Sequence, residues 1–208
     1  MPPTATLSRR ERKKLETHRA LSTAARELAL ASGLDGLTVE EIADAADVSV
    51  RTFFNYFSCK EEALVGVEPA VLDELGAELE HRPADEAPLD ALKAVLASGV
   101  DDVEEAMRRW SLRTELVRRH PSLLPRHLAA LAEIEAALVR ALAARLGTDP
   151  TDPFPAVAVA AAMGALRAAV SSWEDAGRKG SLDDAVDAAF ATLAAGLPAP
   201  RAPRKGRR

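Results

Sequence analysis

Hydrophobic positions recur at helical spacing along most of the chain. Between Leu15 and Ser32 the apolar residues fall three, four, seven and eight positions apart, which places them on one helix face: Leu21, Ala24, Ala25, Leu28 and Ala29. Gly33 follows directly, as is typical just past a helix end. No strand-like alternation of useful length appears. The sequence therefore predicts an all-α fold with about nine or ten helices.

Three helix starts crowd into the stretch from Thr38 to Lys60. Thr38 and Glu41 form a capping-box pattern, Ser49 is a second N-cap, and Ser58 with Glu61 repeats the S-x-x-E spacing. The helices predicted here are short, one ending near Ala46 and the next covering Val50–Tyr56. Helices this short are marginal alone and must pack on the first helix, with Phe53 and Phe57 in the core. This order predicts a helix-turn-helix over residues 38–57, whose second short helix can enter a DNA groove.

Gly66 and Pro69 interrupt the helical pattern just after Leu64. Further helices are predicted beyond this break. Pro69 is predicted to begin a new helix. The later predicted helices are Leu89–Gly99, Val103–Arg119, a long amphipathic helix to Leu146, Ala156–Gly177 and Leu182–Leu197. We therefore divide the chain into a head at residues 15–65 and a body at residues 66–198.

Composition excludes several classes of protein. Hydrophobic residues make up 48% and charged residues 28%, which suits a globular chain. Cys59 is the single cysteine, so an intramolecular disulfide framework is excluded. The four histidines form no i, i+4 pair, and no G-x-S-x-G or Gly-rich phosphate loop occurs. We expect no catalytic residues, no metal site and no cofactor, and hence no enzyme.

The apolar segments also argue against a membrane partner. The longest uncharged apolar run, Pro153–Leu166, falls short of the roughly 20 residues that a bilayer crossing needs. The basic N-terminus is not followed by the apolar segment of a signal peptide. The expectation is a cytoplasmic protein.

Charge is distributed unevenly along the chain. The net charge is −1 over residues 1–65, −9 over residues 66–198 and +5 over residues 199–208, within a total of −5. Residues 1–14 are predicted to be a basic flexible arm and residues 199–208 a basic disordered tail. A polyanion could therefore bind the nearly neutral head, with its basic end, while the acidic body repels it.

Residues 33–64 resemble the TetR family of bacterial transcription regulators. The resemblance rests on G-x-x-G-x-T-V-x-x-I-A-x-x-A-x-V-S from Gly33, then T-F-F-x-Y-F-x-x-K-E-x-x-L from Thr52. The match covers roughly residues 15–65, and the string RTFFNYF at Arg51–Phe57 is similar to an actinobacterial branch with mycofactocin-linked and acyl-CoA-responsive members. Two positions depart from the pattern. Asp47 stands where the turn usually has glycine, and Ala29 where an aromatic residue is common.

The resemblance implies a double-stranded DNA operator as partner and a set of DNA-contacting residues. Base contacts would come from Val50, Arg51, Thr52 and Asn55, with Arg51 suited to guanine O6 and N7. Phosphate contacts would come from Thr38, Ser49, Tyr56 and Lys60. Phe54 would add an apolar contact near the DNA backbone.

The resemblance also implies that the body forms a homodimer and holds a ligand. The dimer interface would use the last two helices, with Val159, Met163, Leu166, Val186, Phe190, Leu193 and Leu197. The alternative is that the last helix is a core helix within one chain. The pocket candidates are Met107, Trp110, Leu116, Met163 and Trp173, with Arg113 facing an anionic ligand. The alternatives are that the apolar residues are plain core and that Arg113 is a solvated surface arginine.

The function implied is that of a repressor released from a pseudo-palindromic operator by a small apolar or amphipathic effector. An acyl-CoA-like molecule is one candidate for that effector. The alternative is a DNA-binding regulator or architectural protein without a small-molecule ligand.

Overall fold

The computed structural model describes residues 9–67, 69–98, 112–113, 115–149 and 151–197. Within these ranges the regular structure is helical and includes no strand, which confirms the all-α prediction. The α-helices are α1 (Arg9–Ser32), α2 (Val39–Ala45), α3 (Val50–Phe54), α4 (Lys60–Val65), α5 (Pro69–His81), α6 (Pro88–Ser98), α7 (Leu124–Leu146), α8 (Phe154–Asp175) and α9 (Leu182–Ala194). Residues 115–119 are also helical, and a 3-10 turn covers Pro121–Leu123.

Two predicted helix ends were wrong. Helix α1 begins at Arg9, so residues 9–14, predicted as part of a flexible arm, are helical. Arg, Lys and Glu in this stretch are good helix formers, and no proline or glycine interrupts them. Helix α9 ends at Ala194, and Leu197 lies beyond it with φ 55. Gly196, with φ 78, reverses the chain there, and the Leu197 amide donates to the Thr192 carbonyl at 3.1 Å.

Parts of the predicted body, arm and tail lie outside the described residues. This applies to most of the predicted helix Val103–Arg119, to residues 1–8 of the arm and to the tail at residues 199–208.

The chain divides into two compact units, one formed by residues 1–75 and 100–137 and the other by residues 76–99 and 138–208. The division falls within α5 and within α7, and so differs from the head and body divided at residue 65. One reason is that Leu116 and Leu123 are fully buried in the same apolar cluster as the first four helices.

The core of the first unit holds the short helices on α1. Ile42 of α2, Phe53 of α3 and Leu64 of α4 are fully buried together with Leu21 of α1. Phe57 is 3% exposed, and its ring centroid lies 5.5 Å from that of Phe53. The prediction that both phenylalanines lie in the core is confirmed.

In the second unit α8 and α9 pack along each other, and both contact α6. Val159 on α8 and Val186 and Phe190 on α9 are buried within the chain. The core-helix alternative therefore accounts for these three positions, because the apolar stripe of α9 finds its partner in α8 and α6. Lys93 of α6 also pairs with Asp187 of α9 at 2.5 Å.

Helix α8 leaves much of its apolar surface uncovered. By length and composition it could cross a membrane, and 28% of its most apolar window is buried inside the chain. It is longer than the uncharged run Pro153–Leu166 because it continues past Arg167 to Asp175. One such helix is weak evidence for a membrane crossing, because core helices of soluble proteins pass the same test. Val157 is 64% exposed on its outer face.

The predicted break after Leu64 is confirmed at Gly66, the C-cap of α4. Gly66 has φ −66 and ψ 165, and its amide donates to the Glu62 carbonyl at 2.7 Å. A Cβ at this position would lie 2.5 Å from that carbonyl oxygen. Glycine is therefore required here for close backbone approach, and Pro69 begins α5 three residues later.

We predict that Gly66→Ala lowers the free energy of unfolding by about 1–3 kcal/mol, because the backbone must move to relieve the contact. Urea unfolding followed by circular dichroism measures this change. Gly36→Ala is the matched control, since nothing lies within 4 Å of a Cβ built there. Equal unfolding midpoints for the two variants would contradict the steric account.

Candidate nucleic-acid interface

The N-terminus of α2 is fixed by the predicted capping box. Thr38 Oγ1 accepts from the Glu41 amide at 3.2 Å, and Glu41 Oε2 accepts from the Thr38 amide at 2.9 Å. Glu41 Oε2 also accepts from Thr38 Oγ1 at 2.9 Å. Hydrogen bonds from the Thr38 backbone and side chain lower the pKa of Glu41. The Thr38 hydroxyl, predicted to contact a phosphate, is thus already engaged by Glu41.

The turn between α2 and α3 accommodates Asp47 in the left-handed region. Its φ is 53, and the following amide of Val48 donates to the Ala43 carbonyl at 3.0 Å. Aspartate tolerates this conformation better than most residues other than glycine. The departure from the family pattern therefore leaves a hydrogen-bonded turn.

Helix α3 begins at a pair of hydroxyl groups. Ser49 Oγ accepts from the Thr52 amide at 3.0 Å and lies 2.8 Å from Thr52 Oγ1. Both side chains therefore act at the cap of the helix, and Thr52 is half-buried. The amides of Val50 and Arg51 lie in the first turn, where α-helical amides have no intrahelical acceptor.

The outer face of α3 carries Arg51 and Phe54, and Asn55 follows as its C-cap; all three are exposed. Phe54 is 55% exposed, and its ring stands edge-on to buried Phe53 with centroids 5.5 Å apart. Val50 is half-buried and packs against the core of the first unit. Three of the predicted DNA-contacting residues thus share one exposed surface.

Tyr56 lies beside α1 rather than on that surface. It is half-buried against the core, and its ring lies 6.3 Å from that of His18 in an edge-on arrangement. Burial, followed by the charge of Arg26, lowers the pKa of His18 to about 4. His18 is therefore neutral at neutral pH and adds no charge beside Tyr56.

Lys60 makes contacts that the sequence analysis did not anticipate. Its Nζ donates to the carbonyl oxygens of Leu34 at 2.9 Å and Leu37 at 2.8 Å. Two of the three ammonium hydrogens, predicted to serve a phosphate, thus face the loop between α1 and α2. No sequence signal could reveal this, because the acceptors are main-chain atoms.

The start of α4 differs from the predicted S-x-x-E box. Cys59 is the N-cap and makes no side-chain cap bond, so the third helical residue is Glu62 rather than Glu61. Glu62 Oε2 accepts from the Ser58 amide at 2.7 Å and from Ser58 Oγ at 2.6 Å. Burial acts to raise the pKa of Glu62, but the bonds from Ser58 contribute to a net lowering.

Arginine side chains hold the other end of α4. Arg26 is 6% exposed, and its Nη1 donates to the Leu64 carbonyl at 3.3 Å. Arg113 Nη2 donates to the Gly66 carbonyl at 3.1 Å. Arg113, predicted to meet an anionic ligand, therefore contacts the segment that joins α4 to α5.

The predicted pocket residues are not brought together in one unit. Leu116 lies in the core of the first unit, whereas Trp173 lies in the last turn of α8, where its Nε1 donates to the Gly180 carbonyl at 3.0 Å. Met163 is half-buried on α8. Met107 and Trp110 lie outside the described residues. Among the residues that the structure describes, no group of three His, Cys, Asp or Glu side chains could hold a metal ion.

Two short, capped helices held on α1, with an exposed polar and aromatic face on the second, define a helix-turn-helix DNA-binding protein. A family model described as bacterial regulatory proteins of the tetR family matches residues 21–65, and one described as the MftR C-terminal domain matches residues 86–198. The chain belongs to the TetR family of bacterial transcriptional regulators.

Known relatives agree with this assignment. The chain is 40% identical over 153 residues to the HTH-type transcriptional regulator TcmR of Streptomyces glaucescens, covering 70% of this chain and 67% of TcmR. It is 29% identical over 192 residues to MftR of Mycobacterium tuberculosis, named for transcriptional regulation of mycofactocin biosynthesis, covering 91% of this chain and 96% of MftR. The fold is similar to that in the SmeT–triclosan complex, with 20% identity, a TM-score of 0.57, and coverage of 93% of this chain and 100% of SmeT.

Proposed function

We propose that this regulator is a repressor that binds a pseudo-palindromic operator as a homodimer in the cytoplasm and is released by a small effector. The observation that carries the DNA-binding part is the exposed surface of Arg51, Phe54 and Asn55 on α3. Regulators of the family are typically repressors with ligand-binding C-terminal domains.

On this surface Arg51 is the principal base-reading residue. Its guanidinium is exposed, and its fork matches the O6 and N7 acceptors of guanine in the major groove. Asn55 and Val50 flank it at the two ends of α3, and Val50 can offer a methyl contact to thymine. Phosphates are bound by first-turn amides of α2 and α3, with Thr38, Ser49 and Tyr56 at the sides.

We predict that Arg51→Ala weakens operator binding by about 1–3 kcal/mol and relaxes the preference at one base pair in each half-site. The parent operator is first selected from random DNA, and a single-mismatch series is then titrated with both proteins. Arg140→Ala, at an exposed position on α7, is the control for loss of one positive charge. An unchanged mismatch profile for Arg51→Ala would contradict base reading.

For the dimer interface we propose the uncovered face of α8 with the neighbouring face of α9. Small or apolar exposed residues lie there, namely Val157, Ala160 and Ala168 on α8 and Ala188 and Ala191 on α9. Small side chains let helix axes approach closely, and a second copy would cover the apolar surface of α8. Met163, Leu166 and Leu193 are half-buried and can border this face, and Leu197 is 68% exposed beyond α9. Val159, Val186 and Phe190 support the face from within.

We predict that Val157→Glu produces monomers with reduced operator affinity, because the charge would be buried between subunits while the isolated chain loses little. Sedimentation velocity measures the oligomeric state. Ala132→Glu, at an exposed position on α7, is the control and should stay dimeric. A Val157→Glu protein that remains a dimer would contradict this interface. Phe190→Asp is a poorer test because Phe190 is buried within its own chain.

The effector that we propose is apolar or amphipathic, with acyl-CoA-like molecules among the candidates. Support comes from the match of residues 86–198 to the MftR C-terminal domain and from the likeness of the recognition helix to a branch with acyl-CoA-responsive members. The net charge of −9 over residues 66–198 disfavours strongly anionic ligands unless local cations hold them.

We predict that a binding effector lowers operator affinity by about 5- to 150-fold, the usual range of coupling between two sites. Release of a fluorescent operator is measured while acyl-CoA thioesters, free fatty acids and uncharged amphipathic aromatics are added separately. Release by uncharged compounds alone would exclude the acyl-CoA class. A compound that binds the protein without changing operator affinity would contradict the proposed switch.

A further inference from the structure

The ammonium group of Lys60 joins α4 to a loop more than twenty residues earlier in the chain. Its Nζ donates to the carbonyl oxygens of Leu34 and Leu37, which precede Lys60 by 26 and 23 residues. Both distances, 2.9 and 2.8 Å, are those of charge-assisted hydrogen bonds. We propose that Lys60 is a positioning residue for operator binding, because it fixes the α1–α2 loop and thereby the place where α2 begins. This inference rests on the proposed DNA-binding function.

The loop needs such a contact because it reverses the chain between two helices. It starts at Gly33, whose φ is 84, and its apolar side chains Leu34 and Leu37 are 5% and 2% exposed. Anchoring these side chains places their carbonyl groups in a partly buried region. The Leu34 carbonyl also accepts from the Leu37 amide at 3.3 Å, and the Lys60 ammonium adds a charge-assisted donor to this carbonyl and to that of Leu37.

The contact lies directly beside the N-terminus of α2. Leu37 immediately precedes Thr38, the N-cap whose amide and hydroxyl are held by Glu41. The charge of Lys60 also contributes to the lowered pKa of Glu41, although less than the bonds from Thr38. One cation thus acts on the loop carbonyls and on the carboxylate that closes the cap.

A phosphate contact would compete with this arrangement. Lys60 is half-buried, and two of its three donors are committed to carbonyl groups within the protein. Arg51 differs because it is exposed on the outer surface of α3. Lys60 therefore affects DNA through the position of α2 and α3, whereas Arg51 meets DNA itself.

The positioning and phosphate roles differ in their dependence on salt. Removing one phosphate contact makes the negative slope of log affinity against log salt shallower by about 0.9. Removing a positioning contact weakens binding and leaves that slope unchanged. The two roles also differ for arginine, because a guanidinium binds phosphate well, whereas its longer side chain and planar fork must shift the loop to reach the carbonyls that the compact ammonium of Lys60 contacts.

The experiment uses the full chain with Lys60→Met, Lys60→Arg and the control Lys179→Met, which removes an exposed lysine from the turn after α8. Hydrogen–deuterium exchange of residues 33–41 is measured without DNA. Affinity for the selected operator is then measured at four salt concentrations, well below the unfolding temperature of each variant.

We expect Lys60→Met to lose exchange protection at residues 33–41 and to bind the operator about tenfold or more weakly, with the parent salt slope. Lys60→Arg should not restore affinity, and Lys179→Met should match the parent in exchange. The proposal is overturned if Lys60→Met keeps its exchange protection and has a salt slope shallower by about 0.9, and if Lys60→Arg restores affinity.

Two features keep the result interpretable. If Lys60→Met does not fold, Lys60→Gln, which retains one donor group, takes its place under the same criteria. The exchange measurement needs no DNA, so a parent protein without operator binding would refute the proposed function while the loop contact is still tested separately.

Discussion

The buried aromatic pair Phe53 and Phe57 is the constraint on which the DNA-binding head depends. Helices α2, α3 and α4 have five to seven residues each, and helices this short do not persist alone in water. They are held because Ile42, Phe53 and Leu64 are fully buried against α1. Burial of Phe53 sets the rotation of α3 about its axis. Arg51 and Phe54 therefore lie on the exposed side of the helix.

The second requirement is that the backbone amides and carbonyls at the helix ends find hydrogen-bond partners. Short helices have many such groups for their length. Thr38 and Ser49 cap the starts of α2 and α3 with their own hydroxyls. At α4 the start is held locally by the bonds from Ser58 to Glu62, whereas the carbonyls at its end accept from Arg26 and Arg113, which are distant in sequence. These contacts link the helix-turn-helix to the segment around residue 113.

The features that could be predicted from the sequence are local or periodic. The capping box at Thr38, the break at Gly66 and the inward phenylalanines depend on residues a few positions apart, and all three are confirmed. Hydrophobic periodicity identified the apolar stripe of α9 but not its partner, which proved to be α8 and α6 of the same chain. Because α4 begins one residue later than predicted, Glu62 rather than Glu61 accepts the hydrogen bonds of Ser58.

Long-range contacts could not be predicted because nothing in the local pattern marks them. Leu116, a pocket candidate whose alternative was plain core, lies in the core of the first unit, and Lys60, for which the resemblance implied a phosphate contact, donates to main-chain carbonyls. Both positions depend on how segments far apart in the chain pack against each other. No local sequence pattern indicates that packing.

Hydroxyl-radical footprinting of the full chain on an operator selected from random DNA tests the central claim most directly. The account predicts two protected blocks related by two-fold symmetry, with centres about one helical turn or a multiple of it apart. Methylation of guanine N7 within each block should interfere with binding by the parent protein, because Arg51 reads the major groove. A single protected block, or protection independent of DNA sequence, would contradict the account.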